Sequence, residues 1–309
     1  MRNFKLDMET FDQTFVGRSS KRVARTGTAA CPARDMSAPK TNKELAFLHE
    51  LFVATDWGER FAELIDEHVT LPKGGRALYV ASGTGGHAIA LQERSSDALQ
   101  FLCVDENEES LELARVKATA LKLSTEFRQG KVDRLPLEAN QFDLVVGNGS
   151  LVHSERIPKT IAEMTRVAVP GATVTLSLPT FSSFGEFFSI YWEALHNCRL
   201  LDHEADVESL ITTLPSVSLV EEMVEAAGLE DVASWTAIEE FDYESSEKFL
   251  GSPLISDFLM PIWLETLPRG SQEHVVKEIG RLINEERHEA EFALTVKATL
   301  VMGRKALSQ

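Results

Sequence analysis

The glycine cluster "YVASGTGGHA", residues 79–88, is followed by the acid Asp105, 20 residues after Gly85. The cluster lies between an apolar run and a helical stretch, so its backbone N–H groups gather at a helix start, where they bind polar or anionic ligand atoms. Glycine removes the Cβ that would hold a ligand away from that backbone. A carboxylate one strand later is placed to accept both hydroxyl protons of an adenosine ribose. Loop and acid together read as a nucleoside-cofactor site. Gly83-x-Gly85-x-x-Ala88 also satisfies the dinucleotide fingerprint G-x-G-x-x-A, so these residues alone leave the choice of cofactor open.

Short apolar runs position these residues: "ALYVAS" (77–82), "LQFLCVD" (99–105), "STEFRQG" (124–130), "FDLVVGN" (142–148) and "ATVTLSLP" (172–179). Helical stretches at 86–94, 107–122 and 157–168 separate them. This alternation predicts an α/β, doubly wound, Rossmann-like parallel sheet covered on both faces, with ligands at the carboxyl ends of its strands. Ahead of it, apolar residues from Leu45 to Ile65 recur at helical spacing with a break near Asp56-Trp57-Gly58, which predicts two helices. Beyond Pro179 the pattern turns helical. Phe184, Phe187, Phe188, Tyr191, Trp192 and Leu195 form one stripe, and Ile255, Phe258, Leu259, Ile262 and Trp263 form another. A helix at 218–228 and strands in "GLEDVASWTAIEEFDYES" and "EFALTVKATLVMGRK" complete the pattern. The organisation predicted is a flexible tail over 1–40 and one domain over 41–309, with N-terminal helices (41–70), a cofactor-binding core (75–180) and helical cap insertions (181–217 and 244–290).

Composition narrows the partners. With 31 basic against 48 acidic residues the net charge is −17, which opposes general nucleic-acid binding, because phosphate contacts need clustered Lys and Arg. The first 40 residues reverse the balance, with eight basic and four acidic side chains. Met36 is a candidate start, and Asp7, Glu9 and Asp12 weigh against reading the tail as a transit peptide. Cys31, Cys103 and Cys198 are odd in number and far apart, which fits unpaired thiols in a reducing compartment. No run reaches the ~18 apolar residues of a membrane span. A cytoplasmic protein without stable membrane insertion is expected. The histidines show no metal-ligand spacing, so no metal is expected.

Further motifs decide between the cofactors. The segments "ALYVASGTGGHA", "FLCVDENEESLELAR", "RLPLEANQFDLVVGNGSLVH", "EMTRVAVPGATVTLSL" and "EAAGLEDV" occur in order. Together they resemble the class I S-adenosylmethionine-dependent methyltransferases, specifically the ubiquinone and menaquinone biosynthesis (methyltransferase type 11) group. The resemblance spans about residues 75–180 and resumes in the C-terminal part, where "LTVKATLVMGRK" is similar to that fold's antiparallel last strand. It implies S-adenosyl-L-methionine as cofactor, with Gly83, Thr84 and Gly85 along its methionine end, Asp105 holding the ribose, Val132 bordering the adenine, Asn148 in the loop near the reacting methyl, and Glu106 and Lys131 among the cofactor-binding positions. Tyr79 and Ala81 occupy positions of the same loop.

Those two positions and Lys131 depart from the family pattern. Tyr79 stands where the family has an acid that meets the cofactor's amino group, and Ala81 replaces the first glycine. Lys131 replaces an acid that accepts from the adenine amino group, and it offers only donors; Asp133, two residues on, is a possible compensation. Charge-assisted hydrogen bonds contribute about 1.5 to 3 kcal/mol each, so two such losses weaken binding by about 10² or more. Methyl transfer needs chiefly alignment of acceptor, methyl and sulfur. Where the acceptor must lose a proton, His153 is the candidate base, with His87 a weaker one. Glu163 and Arg166 fit a structural ion pair. The aromatic stripes read first as core, then as an acceptor pocket or a homodimer face.

The function expected is therefore methylation of a small, apolar or aromatic acceptor. A methyltransferase-fold binding or assembly protein with a degenerate cofactor site is the second reading, carried by Tyr79 and Lys131. A nicotinamide-dependent oxidoreductase, carried by glycine spacing and Asp105 alone, is the third.

Overall fold

The computed structural model describes residues 40–95, 99–286 and 292–307. The tail read over 1–40, including Met36 and Cys31, lies outside these residues except for Lys40, which pairs with Asp257. The chain begins with α1 (Asn42–Leu48), a π-helical segment (His49–Gly58) and α2 (Glu59–His68). The core runs β1 (Gly75–Val80), α3 (Gly86–Arg94), β2 (Leu99–Asp105), α4 (Glu108–Ala120), β3 (Glu126–Gln129), β4 (Phe142–Asn148), α5 (Ile157–Val167) and β5 (Ala168–Pro179). Then come α6 (Gly185–Asn197), α7 (Glu204–Thr213), α8 (Val217–Ala226), β6 (Leu229–Tyr243) and α9 (Ser246–Gly251). A second π-helical segment (Leu254–Leu259), α10 (Met260–Trp263), α11 (Arg269–Glu286) and β7 (Phe292–Lys305) end the chain.

Among the described residues seven strands form one sheet in the order β3-β2-β1-β4-β5-β7-β6. β1 through β5 pair in parallel, and β7 inserts antiparallel between β5 and β6. This is the doubly wound sheet with an antiparallel last strand that the sequence predicts. The strand order reverses between β1 and β4, which opens a crevice above their carboxyl ends. Both the glycine loop after β1 and Asn148 at the end of β4 border it.

Side-chain alternation builds two cores. Ala77 and Tyr79 of β1 share one core with residues of α2, α3, α6 and α11 on one face, while Leu78 and Val80 pack with α5 and α8 on the other. The aromatic stripes are core: Phe187 stacks on Trp263 at 4.0 Å, and Phe184, Phe188 and Phe249 close around them. Trp192 alone of the first stripe is well exposed, at 39%. It lines an open groove of about 570 Å³ with Gly185, Phe188, Glu193, His196 and Ile211, between α6 and α7.

One expectation fails. The chain does not break at Asp56-Trp57-Gly58 but stays helical from Asn42 to His68, because the π-helical segment carries the backbone from α1 into α2. A π-helix closes i→i+5 hydrogen bonds and absorbs an extra residue without ending the helix. Among the described residues no helix is long and apolar enough to cross a membrane. Cys103 and Cys198 are free thiols, and burial pushes the Cys103 thiol up in pKa.

Candidate cofactor site

The loop after β1 is held in a conformation that few side chains tolerate. Gly83 and Gly85 have φ of +53° and +76°, and Ala81 has φ of +55° despite its Cβ. A non-glycine residue in this region costs roughly 1 to 2 kcal/mol, and such strain collects at functional sites. The glycines are also sterically required. A Cβ on Gly85 would come 2.8 Å from Ala114 Cβ on α4, and one on Gly83 would come 2.7 Å from His49 Cε1.

Asp105 ties this loop to the end of β2. Its Oδ2 accepts the Gly83 N–H at 2.7 Å and its Oδ1 accepts the Asn107 N–H at 3.0 Å. Asn107, not Asp105, caps α4, through Oδ1 and the Glu109 N–H. Burial raises the Asp105 pKa, and the backbone N–H bonds pull it back down. Ionised oxygens offer about four acceptor sites between them, so these two contacts leave capacity for a ribose diol.

Beside Val132 the crevice is bordered by an acidic pair and one arginine. Val132 is buried, and its N–H is donated to Glu106 Oε1 at 3.1 Å. Arg156, on the turn after β4, reaches across to Glu106 and to both oxygens of Asp133 at 3.0 and 3.2 Å. This bonding holds the Asp133 carboxyl below its ordinary pKa. Lys131 is exposed, and its carbonyl accepts the Arg134 N–H in a tight turn. Asn148 Oδ1 accepts the Ser150 N–H at 3.0 Å at the mouth of the crevice. His153 is half-buried on the same β4 exit, and its carbonyl accepts the Arg156 N–H. Glu163 and Arg166 form the ion pair read from sequence, and they fix the neighbouring turn through the Leu135 N–H and the Leu137 carbonyl.

Tyr79 is 2% exposed, and its hydroxyl is bonded to His87 Nδ1 at 2.9 Å. His87 Nε2 in turn meets Asp66 of α2 at 3.1 Å, beside Arg94. The chain Tyr79–His87–Asp66 therefore fastens α2 and α3 to β1. Replacing Tyr79 by Phe is expected to cost about 1 kcal/mol of stability, the net worth of one neutral hydrogen bond, and to leave nucleoside affinity unchanged. Denaturant unfolding alongside ligand titration checks both.

The sequence reading missed the groups that cover the loop. His49 and Glu50 come from the π-helical segment, and Glu50 pairs with Lys117 of α4 at 2.7 Å. Burial opposes the Glu50 charge, but Lys117 and Thr84 outweigh it, and its pKa is lowered. Burial lowers the His49 pKa to about 4, so its imidazole is neutral near pH 7. His49 Nδ1 and Ser82 Oγ are buried polar atoms without a hydrogen-bond partner among the described residues. Helical periodicity locates His49 on a helix, but only tertiary packing lays it on Gly83.

Comparison with known proteins fits this geometry. Residues 77–171 match the family described as a methyltransferase domain. The chain is 34% identical over 146 residues to a demethylmenaquinone methyltransferase of Deinococcus radiodurans, a match covering 46% of this chain and 59% of that protein. It is 29% identical over 169 residues to a demethylmenaquinone methyltransferase of Bacillus cereus, covering 52% of this chain and 71% of the relative. The match to the Deinococcus protein thus spans less than two thirds of that relative's length. Among solved structures, the YcgJ protein of Bacillus subtilis superposes with a TM-score of 0.54 at 16% identity, over 81% of this chain and 100% of its own. That likeness shows the fold. Over residues 77–171 the chain is similar to the methyltransferase domain family, and its sheet has the fold of the solved structure that it resembles.

Proposed function

We propose that this protein is an S-adenosylmethionine-dependent methyltransferase acting on a small, largely apolar aromatic acceptor. The observation that carries the reading is the Gly83–Asp105 bond at the strand-order reversal, which holds a glycine loop and a ribose-reading carboxylate over one crevice. The residues present fit the cofactor. Two glycines at positive φ permit close backbone approach, and the partnerless Ser82 Oγ and His49 Nδ1 are buried polar atoms that a bound ligand can satisfy.

In this reading Gly83, Thr84 and Gly85 line the methionine end, and Asp105 accepts from the ribose hydroxyls. Val132 and the Lys131 turn border the adenine. The Val132 N–H, bonded here to Glu106, would be the donor available to the adenine, and Arg156 neutralises the Glu106 carboxylate. When bound, the cofactor supplies an electrophilic methyl on a sulfonium. The protein's own work is alignment: the crevice fixes the acceptor in line, Asn148 borders the transfer path, and His153 takes a proton where the acceptor must lose one. The acceptor class is supported by the names of the two relatives, which act on a demethylated quinone.

Calorimetric titration of the full chain with S-adenosylmethionine, S-adenosylhomocysteine and NADH tests the reading. Micromolar binding of the first two is expected. Binding of NADH alone, or of none of the three, overturns it.

A further inference from the structure

We propose that His49 is the residue that recognises the amino group of the cofactor, in place of the carboxylate that this chain lacks at Tyr79. The inference rests on the reading of Gly83–Gly85 as the methionine end of the site.

Three observations carry it. First, the position on β1 that would offer an acid holds a tyrosine whose hydroxyl is already bonded to His87, so that position presents no carboxylate to an ammonium. Second, the imidazole of His49 lies directly on the loop, with Cε1 and Nε2 at 2.7 and 3.2 Å from the Cβ position of Gly83. The ring of Phe258, from the second π-helical segment, meets it edge-on at 5.9 Å. Glycine at 83 and the phenyl ring together fix the orientation of the imidazole. Third, His49 Nδ1 is buried and has no hydrogen-bond partner among the described residues. A buried nitrogen left unpaired costs about 1 to 3 kcal/mol, which a ligand donor recovers.

The chemistry matches an ammonium and not an anion. A neutral imidazole carrying its proton on Nε2 presents Nδ1 as a lone-pair acceptor. The charged groups facing it are Glu50 and Lys117, which are paired with each other at 2.7 Å, so their charges largely offset one another at the imidazole. Both π-helical segments then have a role: the first carries the acceptor and the second holds its ring in place. π-Helical turns recur at functional sites because they re-aim single side chains.

A two-by-two binding experiment tests this. S-adenosylhomocysteine and its analogue lacking the α-amino group, S-adenosyl-4-thiobutyrate, are titrated calorimetrically into the wild-type chain, His49→Phe and His49→Asn, with thermal melting to establish that each variant is folded. The wild type is expected to bind S-adenosylhomocysteine about tenfold or more tightly than the analogue. His49→Phe should bind both ligands alike, at the level of the analogue. His49→Asn, whose Oδ1 falls near the place of Nδ1, should keep part of the preference, and it decides the matter should His49→Phe fail to fold. An undiminished preference in both folded variants, or none in the wild type, overturns the proposal. No binding of either ligand to the wild type overturns the reading of the site itself, and the proposal with it.

Discussion

Asp105→Ala is expected to weaken S-adenosylhomocysteine binding by at least about a hundredfold. On the function proposed above the carboxylate has two tasks, and alanine removes both. It accepts the Gly83 N–H and the Asn107 N–H, which sets the loop against the end of β2, and it keeps acceptor capacity for the ribose diol. Two hydrogen bonds to a charged acceptor are worth about 1.5 to 3 kcal/mol each, which is 10² or more in affinity. Asp105→Asn keeps one acceptor oxygen and the side-chain volume, so it should fall between wild type and alanine. A pH dependence follows. Because burial raises the Asp105 pKa above the ordinary carboxylate range, and the ribose hydroxyls need the ionised form, binding should weaken as pH falls through that raised value. Calorimetric titration across pH measures all three effects. An alanine variant that binds as tightly as wild type would remove Asp105 from the site.

Much of the frame was legible in the sequence, for a physical reason. Strands buried on both faces must be continuously apolar, so "ALYVAS" and "FDLVVGN" announce β1 and β4 without ambiguity. Glu163 and Arg166, three residues apart on one helix, announce their own ion pair. The antiparallel last strand was legible only through family resemblance, since nothing in the alternation of β7 states which neighbour it pairs with. Three features had no local signal. The π-helical segment contains Asp56-Trp57-Gly58, which interrupts the apolar helical pattern and reads as a break, while its wider turns carry the helix through. Arg156 meets Glu106 across 50 residues of chain, and His49 meets Gly83 through the packing of an N-terminal helix on a distant loop. Tyr79 shows the limit from the other side: its type was read as a lost contact, while its burial and its bond to His87 give it structural work.

Trp57→Ala is expected to destabilise the protein by about 3 to 5 kcal/mol, the range for removing a large buried aromatic side chain. Trp57 is 1% exposed and packs against Phe61 of α2, Phe184 before the cap and Phe241 of β6, at 5.0, 6.2 and 5.4 Å between ring centroids. One indole therefore joins the N-terminal helices, the start of α6 and the edge of the sheet, and no single neighbour can collapse into the space it leaves. The substitution also has a functional side. Trp57 anchors the same π-helical segment that lays His49 on Gly83, so a loosened segment should lower S-adenosylhomocysteine affinity even where the variant is folded. Trp57→Phe separates the contributions. It keeps most of the ring contacts and deletes the indole Nε1, a buried donor without a partner among the described residues, so its cost should be well under half that of alanine and its affinity close to wild type. Denaturant midpoints followed by circular dichroism, with ligand titration under folded conditions, measure both. A Trp57→Ala variant as stable as wild type would mean that the N-terminal helices are not held by this aromatic junction, and the closure of the loop would then need another anchor.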